Sequence, residues 1–173
     1  MQWLLLTHST EAFKRNNSGF HVKKVLDRAV SIVFWQRKAQ NLISEHPKVA
    51  GQSPVLLFPK AYVSNDEVVV SERIERSWQG RPFIIIDATW QQAKKMYRQS
   101  EWLQSLDVLS LPVEQDLVLD GFEYRLRKGQ KEGGCSTVEV VARTMALGGE
   151  LREAHSLLSY FSLFQMDNND PSR

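Results

Sequence analysis

The chain has 173 residues, 42% hydrophobic and 24% charged, with a formal net charge of +2. That describes one soluble globular domain, with a helical appendage at most, and a charge too small to mark a nucleic-acid binder by itself. A single cysteine, Cys135, excludes an internal disulfide and any multi-thiolate metal site.

No apolar run approaches the roughly 20 residues of a membrane span. Met1–Leu6 is too short for a signal-peptide core and reads better as a strand, so no membrane is expected and the cytoplasm is the expected compartment. Trp3–Leu6 is that first strand. The loop His8–Gly19 is long for an α/β connection and rich in polar and basic residues, as functional or mobile loops are. A helix follows, with Val22, Val25, Leu26 and Ala29 on one face. Ala29–Trp35 is the second strand, with Val30, Ile32 and Phe34 alternating against Ser31 and Val33. Arg37–His46 forms another short helix, ended by Pro47. Val55–Phe58 is a third, buried strand, stopped by Pro59. The charges of Ser71–Trp78 suggest a solvated helix.

The stretch from Pro82 to Met96 organises the rest. Phe83–Ile86 puts four bulky apolar residues in a row, three of them β-branched, as in a strand buried on both faces. The run stops at Asp87. Beyond it, Trp90, Ala93, Met96 or Tyr97 and Leu103 make a helical stripe. Asp87 and Thr89 therefore lie in a very short turn between strand and helix. The plain readings are an N-cap for Thr89 and an ordinary turn or dipole-facing residue for Asp87.

Asp107–Leu111 is a fifth strand, closed by Pro112, and residues 113–135 resist a clean assignment apart from a short extended piece at Tyr124–Arg127. Ser136-Thr137-Val138-Glu139 matches a capping box, with Val138, Ala142 and Met145 behind it. Gly148-Gly149 ends that helix. A last helix spans Glu150–Met166, with Leu151, Ala154, Leu158, Phe161 and Phe164 or Gln165 inward. The expected domain is 1–166, with 167–173 a disordered tail.

Strands alternating with helices predict an α/β fold, a mainly parallel sheet flanked by helices. The special loops His8–Gly19, Phe58–Tyr62, Asp87–Trp90 and Pro112 onward each follow a strand. In a parallel sheet they gather at the carboxyl edge, where ligands bind. No glycine-rich dinucleotide or phosphate loop and no Gly-x-Ser-x-Gly elbow occurs, and His8, His21, His46 and His155 lack metal-ligand spacing, so no metal is expected. Cys135 beside a helix cap invites a depressed pKa, against which stands a packing role. What remains is a carboxylate at a strand tip, an aromatic beside it, and basic groups nearby. Lys14 and Arg15 lie in the first loop, Lys94, Lys95 and Arg98 on the helix, and Arg125 and Arg127 in the late segment, a footprint suited to phosphates.

Asp87-Ala88-Thr89-Trp90, running on to Ala93-Lys94-Lys95-Met96, resembles the signature of the DTW-domain family. The resemblance extends through His8-x-x-Glu11 with Lys14, Asn17-Ser18-Gly19, Phe58-Pro59, Tyr124–Arg127 and Ser136-Thr137-x-Glu139, in the family's order from about residue 4 to residue 147. Ala88 stands where Gly is common. The Cys-rich, zinc-binding segment that precedes the first strand in many members is expected to be missing, which bears on tRNA docking.

The resemblance implies a tRNA-uridine aminocarboxypropyltransferase with a SPOUT-like fold and a C-terminal trefoil knot. It moves the 3-amino-3-carboxypropyl group of S-adenosylmethionine to N3 of a uridine and releases methylthioadenosine. It implies Asp87 as the base, Arg125 on the methionyl carboxylate, and Phe58, Pro59, Thr89, Leu109, Ser110, Leu111, Cys135, Ser136 and Thr137 around the co-substrate. Lys14, Arg15, Asn17, Lys94, Lys95, Arg98 and Arg127 would meet tRNA. A SPOUT-type RNA methyltransferase and a catalytically inert RNA-binding module are the competing readings. Oligomeric state and the tRNA position modified stay open.

Overall fold

Leucine and isoleucine runs build the centre of the sheet. In this computed structural model, which describes residues 1–11, 14, 17–37, 46, 49, 51–112, 117–119, 122–124 and 135–168, β1 (Trp3–Thr7) and β5 (Phe83–Asp87) run parallel in register. Trp3 lies beside Phe83 and Thr7 beside Asp87. With β2 (Val30–Phe34), β3 (Val55–Leu57), β4 (Val70–Ser71) and β6 (Val108–Leu109), six strands form a sheet of order β2–β1–β5–β3–β6–β4, parallel at every pairing. The expected α/β architecture with a parallel sheet is what the chain adopts.

Successive strand residues face opposite sides, which divides the core in two. Trp3, Leu5, Val55, Leu57, Phe83 and Ile85 face α1 (Ser18–Leu26) together with two helices from the C-terminal part, α4 (Thr137–Leu147) and α5 (Leu151–Asn168). Leu4, Leu6, Leu56, Ile84 and Val108 face α2 (Trp90–Arg98) and the single turn α3 (Glu101–Gln104). Each fully covered side chain contributes about 1.5–3 kcal/mol. The turn from α4 into α5 follows from two glycines: Gly149 takes φ +84°, its N–H bonds Ala146 O, and Glu150 N–H bonds Met145 O. These two hydrogen bonds satisfy carbonyls that a helix end would leave open.

Several expectations change. Ser71–Trp78 is not a solvated helix: Val70–Ser71 pair with β6, and a 3-10 turn at Arg76–Trp78 brings Trp78 to 1% exposure. Its indole N–H donates to Asp107 Oδ2 at 3.1 Å, the acceptor that Arg81 Nη1 meets at 2.7 Å. Burial pushes the Asp107 carboxyl up, but the Arg81 hydrogen bond and charge, with the Val69 and Trp78 N–H groups, hold it below the usual range. The stripe from Trp90 to Leu103 is two helices, because the chain breaks at Gln99-Ser100. Phe34 is exposed, since β2 is an edge strand. Leu151 is exposed too, and Leu157 takes the inward place. Only Val108–Leu109 of the fifth strand pairs as sheet.

The segment without a clean assignment contains an antiparallel pair, β7 (Leu117–Leu119) with β8 (Phe122–Tyr124). Helix α5 runs two residues further than expected, to Asn168. Most of the helix expected at Arg37–His46, and the tail beyond 168, lie outside the described residues.

A candidate active site at the carboxyl edge of the sheet

Asp87 ends β5 at 5% exposure with three side-chain donors on its carboxylate. Thr7 Oγ1, the last residue of the neighbouring strand, donates to Oδ2 at 3.2 Å, and Asn17 Nδ2 donates to the same oxygen at 3.0 Å. Thr137 Oγ1 donates to Oδ1 at 2.7 Å. A single carboxylate thus ties β1, the start of α1 and the start of α4 to the tip of β5. Such hydrogen bonds to a charged group are about twice as strong as neutral ones.

The partners are themselves fixed. Asn17 caps α1 by accepting the Phe20 N–H at 3.2 Å, and its amide also donates to Glu11 O at 3.1 Å. Both N–H donors of that amide and its oxygen are thus engaged. Gly19 comes so close that a Cβ there would stand 2.6 Å from Asp87 Oδ2. Only glycine leaves room for the carboxylate.

Ala88, Thr89 and Trp90 cross the rim. Asp87, two positions past Ile85, faces the α1 and α4 side, whereas Ile86, Ala88 and Trp90 pack on the α2 side. Thr89 is the N-cap of α2 in a full capping box with Gln92, and Gln92 Nε2 continues to Thr10 Oγ1 at 2.9 Å. Thr10 meets His8 Nδ1 at 2.9 Å, and the His8 ring stacks on Trp35 at 6.1 Å. Thr89 therefore performs the plain capping role and also joins the first loop to the rim. Trp90 is half-buried: its ring lies 5.8 Å from Phe58 and 5.0 Å from Tyr62, edge to face.

Beside this lie the ends of β3 and β6. Ser110, 5% exposed, accepts the Lys60 N–H at 2.9 Å, fixing the turn after Phe58-Pro59. Leu109 is core, and Leu111 packs against it. At the start of α4, Ser136 and Glu139 form a capping box, with Ser136 N–H donating to Glu139 Oε2 at 2.5 Å. The other oxygen, Glu139 Oε1, is buried and has no hydrogen-bond partner among the described residues. Leaving such an acceptor unpaired costs about 1–3 kcal/mol, so a ligand hydroxyl there would be well received. Burial, with a smaller contribution from Glu139, pushes the Cys135 thiol up against the pull of Arg143, contrary to a depressed value. Among the described residues no His, Cys, Asp and Glu group could hold a metal ion.

A sequence model of the DTW domain matches residues 1–167. The chain belongs to the DTW-domain family. The protein named tRNA-uridine aminocarboxypropyltransferase 2 from Drosophila melanogaster is 26% identical over 178 residues, covering 96% of this chain. The chain spans 65% of that relative's length. No solved structure matches.

In this DTW domain the described residues expected on the co-substrate and in the motif lie at one edge, and those expected on tRNA divide. Lys14 is exposed and paired with Glu11 at 2.6 Å; Lys95 and Arg98 are exposed on α2. Asn17 is buried against Asp87 instead of facing outward, because its amide is consumed by the carboxylate and the cap. Arg15, Arg125 and Arg127 lie outside the described residues. Sequence reasoning missed Thr7, Gly19, Glu139 as a free acceptor, and Tyr62. Only Gly19 and Glu139 carried a signal, through the motif blocks that contain them.

Proposed function

We propose that this chain is a tRNA-uridine aminocarboxypropyltransferase using S-adenosylmethionine as co-substrate. The observation that carries the reading is the buried Asp87 at the ligand-binding edge, held by Thr7, Asn17 and Thr137 within the DTW motif. The name of the Drosophila melanogaster relative supports the same reaction.

Uridine N3 is a poor nucleophile until its imide proton leaves, so the site needs a base beside it. Asp87 takes that role. A carboxylate has about four lone-pair positions, and among the described residues three are occupied, which leaves one for the N3 proton. The three donors also hold the carboxylate still, as in-line attack requires. As the proton passes to Asp87, N3 bonds to the methylene carbon next to the sulfonium. The C–S bond breaks with its electron pair going to sulfur.

The co-substrate supplies the 3-amino-3-carboxypropyl group and leaves as methylthioadenosine. Phe58, Pro59, Leu109–Leu111 and Cys135–Thr137 would border adenine and ribose, with Glu139 Oε1 accepting from a ribose hydroxyl and Arg125 meeting the methionyl carboxylate. Thr89 would border the site from the rim, its hydroxyl, N–H and carbonyl being engaged in the start of α2. Lys14, Arg15, Lys94, Lys95, Arg98 and Arg127 would take tRNA phosphates.

The proposal includes the family's SPOUT-like, C-terminally knotted fold. Its support is membership of the DTW-domain family. The cytoplasm is the proposed compartment; among the described residues no helix is long and apolar enough to cross a membrane. Mass spectrometry of nucleosides from tRNA incubated with the protein and S-adenosylmethionine tests the reading. A uridine carrying the aminocarboxypropyl group is expected, whereas a methylated nucleoside or unchanged tRNA rejects it.

A further inference from the structure

Tyr62 ends the 3-10 turn Lys60–Tyr62 behind β3 and is 44% exposed. Its ring stands against Trp90 at 5.0 Å and 76°, and Trp90 backs onto Phe58. Lys94, one turn after Trp90 on α2, places Nζ 5.3 Å from the Tyr62 ring centre and 5.6 Å from that of Trp90. A lone exposed aromatic needs no explanation. This one is braced by a second ring and carries a cation fixed over both.

The charges around it have one sign on α2. Lys95 and Arg98 are the next exposed cations of the helix, and among the described residues Lys94, Lys95 and Arg98 have no acidic partner. Lys60 is neutralised by Glu72 at 2.5 Å. An exposed ring next to a row of uncompensated cations is the chemistry that holds an unpaired nucleotide. The base stacks, and the phosphates meet the cations.

We propose that Tyr62 is a base-stacking residue. A nucleotide flanking the target uridine lies on its exposed face, with the phosphates on Lys94, Lys95 and Arg98. This rests on the tRNA reading above and adds where the strand lies: on the α2 side of the sheet, across the Ala88-Thr89 rim from Asp87. An acidic peptide would use the cations without the ring, and adenine of the co-substrate would use the ring without the cations.

The test is equilibrium binding of labelled tRNA to the whole chain and to Tyr62→Phe, Tyr62→Ala and Lys94→Gln at several salt concentrations. Calorimetric binding of S-adenosylmethionine is measured alongside. Tyr62→Ala is expected to weaken tRNA binding by about 5- to 150-fold, and Tyr62→Phe to restore it, because the π-face and not the hydroxyl stacks. Lys94→Gln is expected to reduce the slope of log affinity against log salt by about 1. Co-substrate affinity stays the same in all three.

Wild-type tRNA affinity in Tyr62→Ala overturns the inference and leaves the transferase reading standing. Loss of S-adenosylmethionine affinity instead makes the ring an adenine site and also overturns it. Equal competition by poly-glutamate and by RNA assigns the face to an acidic protein and rejects it. A wild-type chain that binds no tRNA removes both the inference and the function it rests on.

Discussion

Thr137 Oγ1 and Asp87 Oδ1, fifty positions apart in sequence, are joined by a hydrogen bond of 2.7 Å. Through this contact the first residue of α4 is fixed to the last residue of the central strand. The sheet edge and the C-terminal helices therefore form one unit around the carboxylate.

Thr137→Val removes the hydroxyl and keeps the shape. It leaves Oδ1 buried without that donor, so unfolding by denaturant should show a loss of about 1–3 kcal/mol. Turnover should fall more than tRNA affinity, because the base loses its orientation while the docking surfaces stay intact. Thr137→Ser, which restores the hydroxyl, should recover most of both. Equal turnover in the valine and serine variants would show that the contact does not position the base.

Gly19→Ala places a methyl group 2.6 Å from Asp87 Oδ2 and 3.0 Å from Asn17 Oδ1. Both neighbours are locked in other hydrogen bonds, so neither yields cheaply. The expected loss is about 1–3 kcal/mol by thermal unfolding, with a matching fall in turnover. A variant as stable and as active as wild type would mean that the carboxylate moves freely, contrary to its three-donor setting.

His21 sits at 8% exposure beside Phe161 and Phe164, the latter with ring centres 3.9 Å apart, and its buried Nδ1 has no hydrogen-bond partner among the described residues. Burial, and then the charge of Lys24, lowers its pKa below 6.5. The unfolded chain therefore binds this proton more readily than the folded one. The stabilisation is complete above about pH 6.5 and is lost as pH falls toward the folded value. Thermal midpoints measured from pH 8 to 5 should drop less for His21→Phe than for wild type. Parallel curves would contradict the shift.

Cys135 has its thiol pushed up by burial, so it is a poor nucleophile near neutrality. Cys135→Ser should retain activity within about two-fold, and the wild-type thiol should react slowly with a maleimide. Abolished turnover in the serine variant would instead give the sulfur a chemical role.

The fold was legible where one physical signal dominated. Phe83–Ile86 and Trp3–Leu6 read as buried strands because neither face meets water, and the Ser136–Glu139 capping box carried its own chemistry. Trp78 misled, because its charged neighbours suggest a solvated helix while one indole anchored by Asp107 decides the local structure. At the site, Asp87 stood out as an acid ending an apolar run. Of its donors, Thr7 is an ordinary strand-end residue in sequence, while Asn17 and Thr137 carried a motif signal that pointed to tRNA and co-substrate; only strand pairing and the two helix starts bring all three to the carboxylate. Tyr62 stayed hidden for the same reason, since its partner Trp90 is on a different strand–helix unit.

The most direct measurement is the identity and yield of the adenosine product when the purified chain turns over S-adenosylmethionine with tRNA, compared between wild type and Asp87→Asn. Methylthioadenosine formed in step with modified uridine by wild type, and its near-absence in an Asp87→Asn protein that still binds S-adenosylmethionine, is the result this account predicts. S-adenosylhomocysteine as the product, or undiminished methylthioadenosine from the variant, would contradict it.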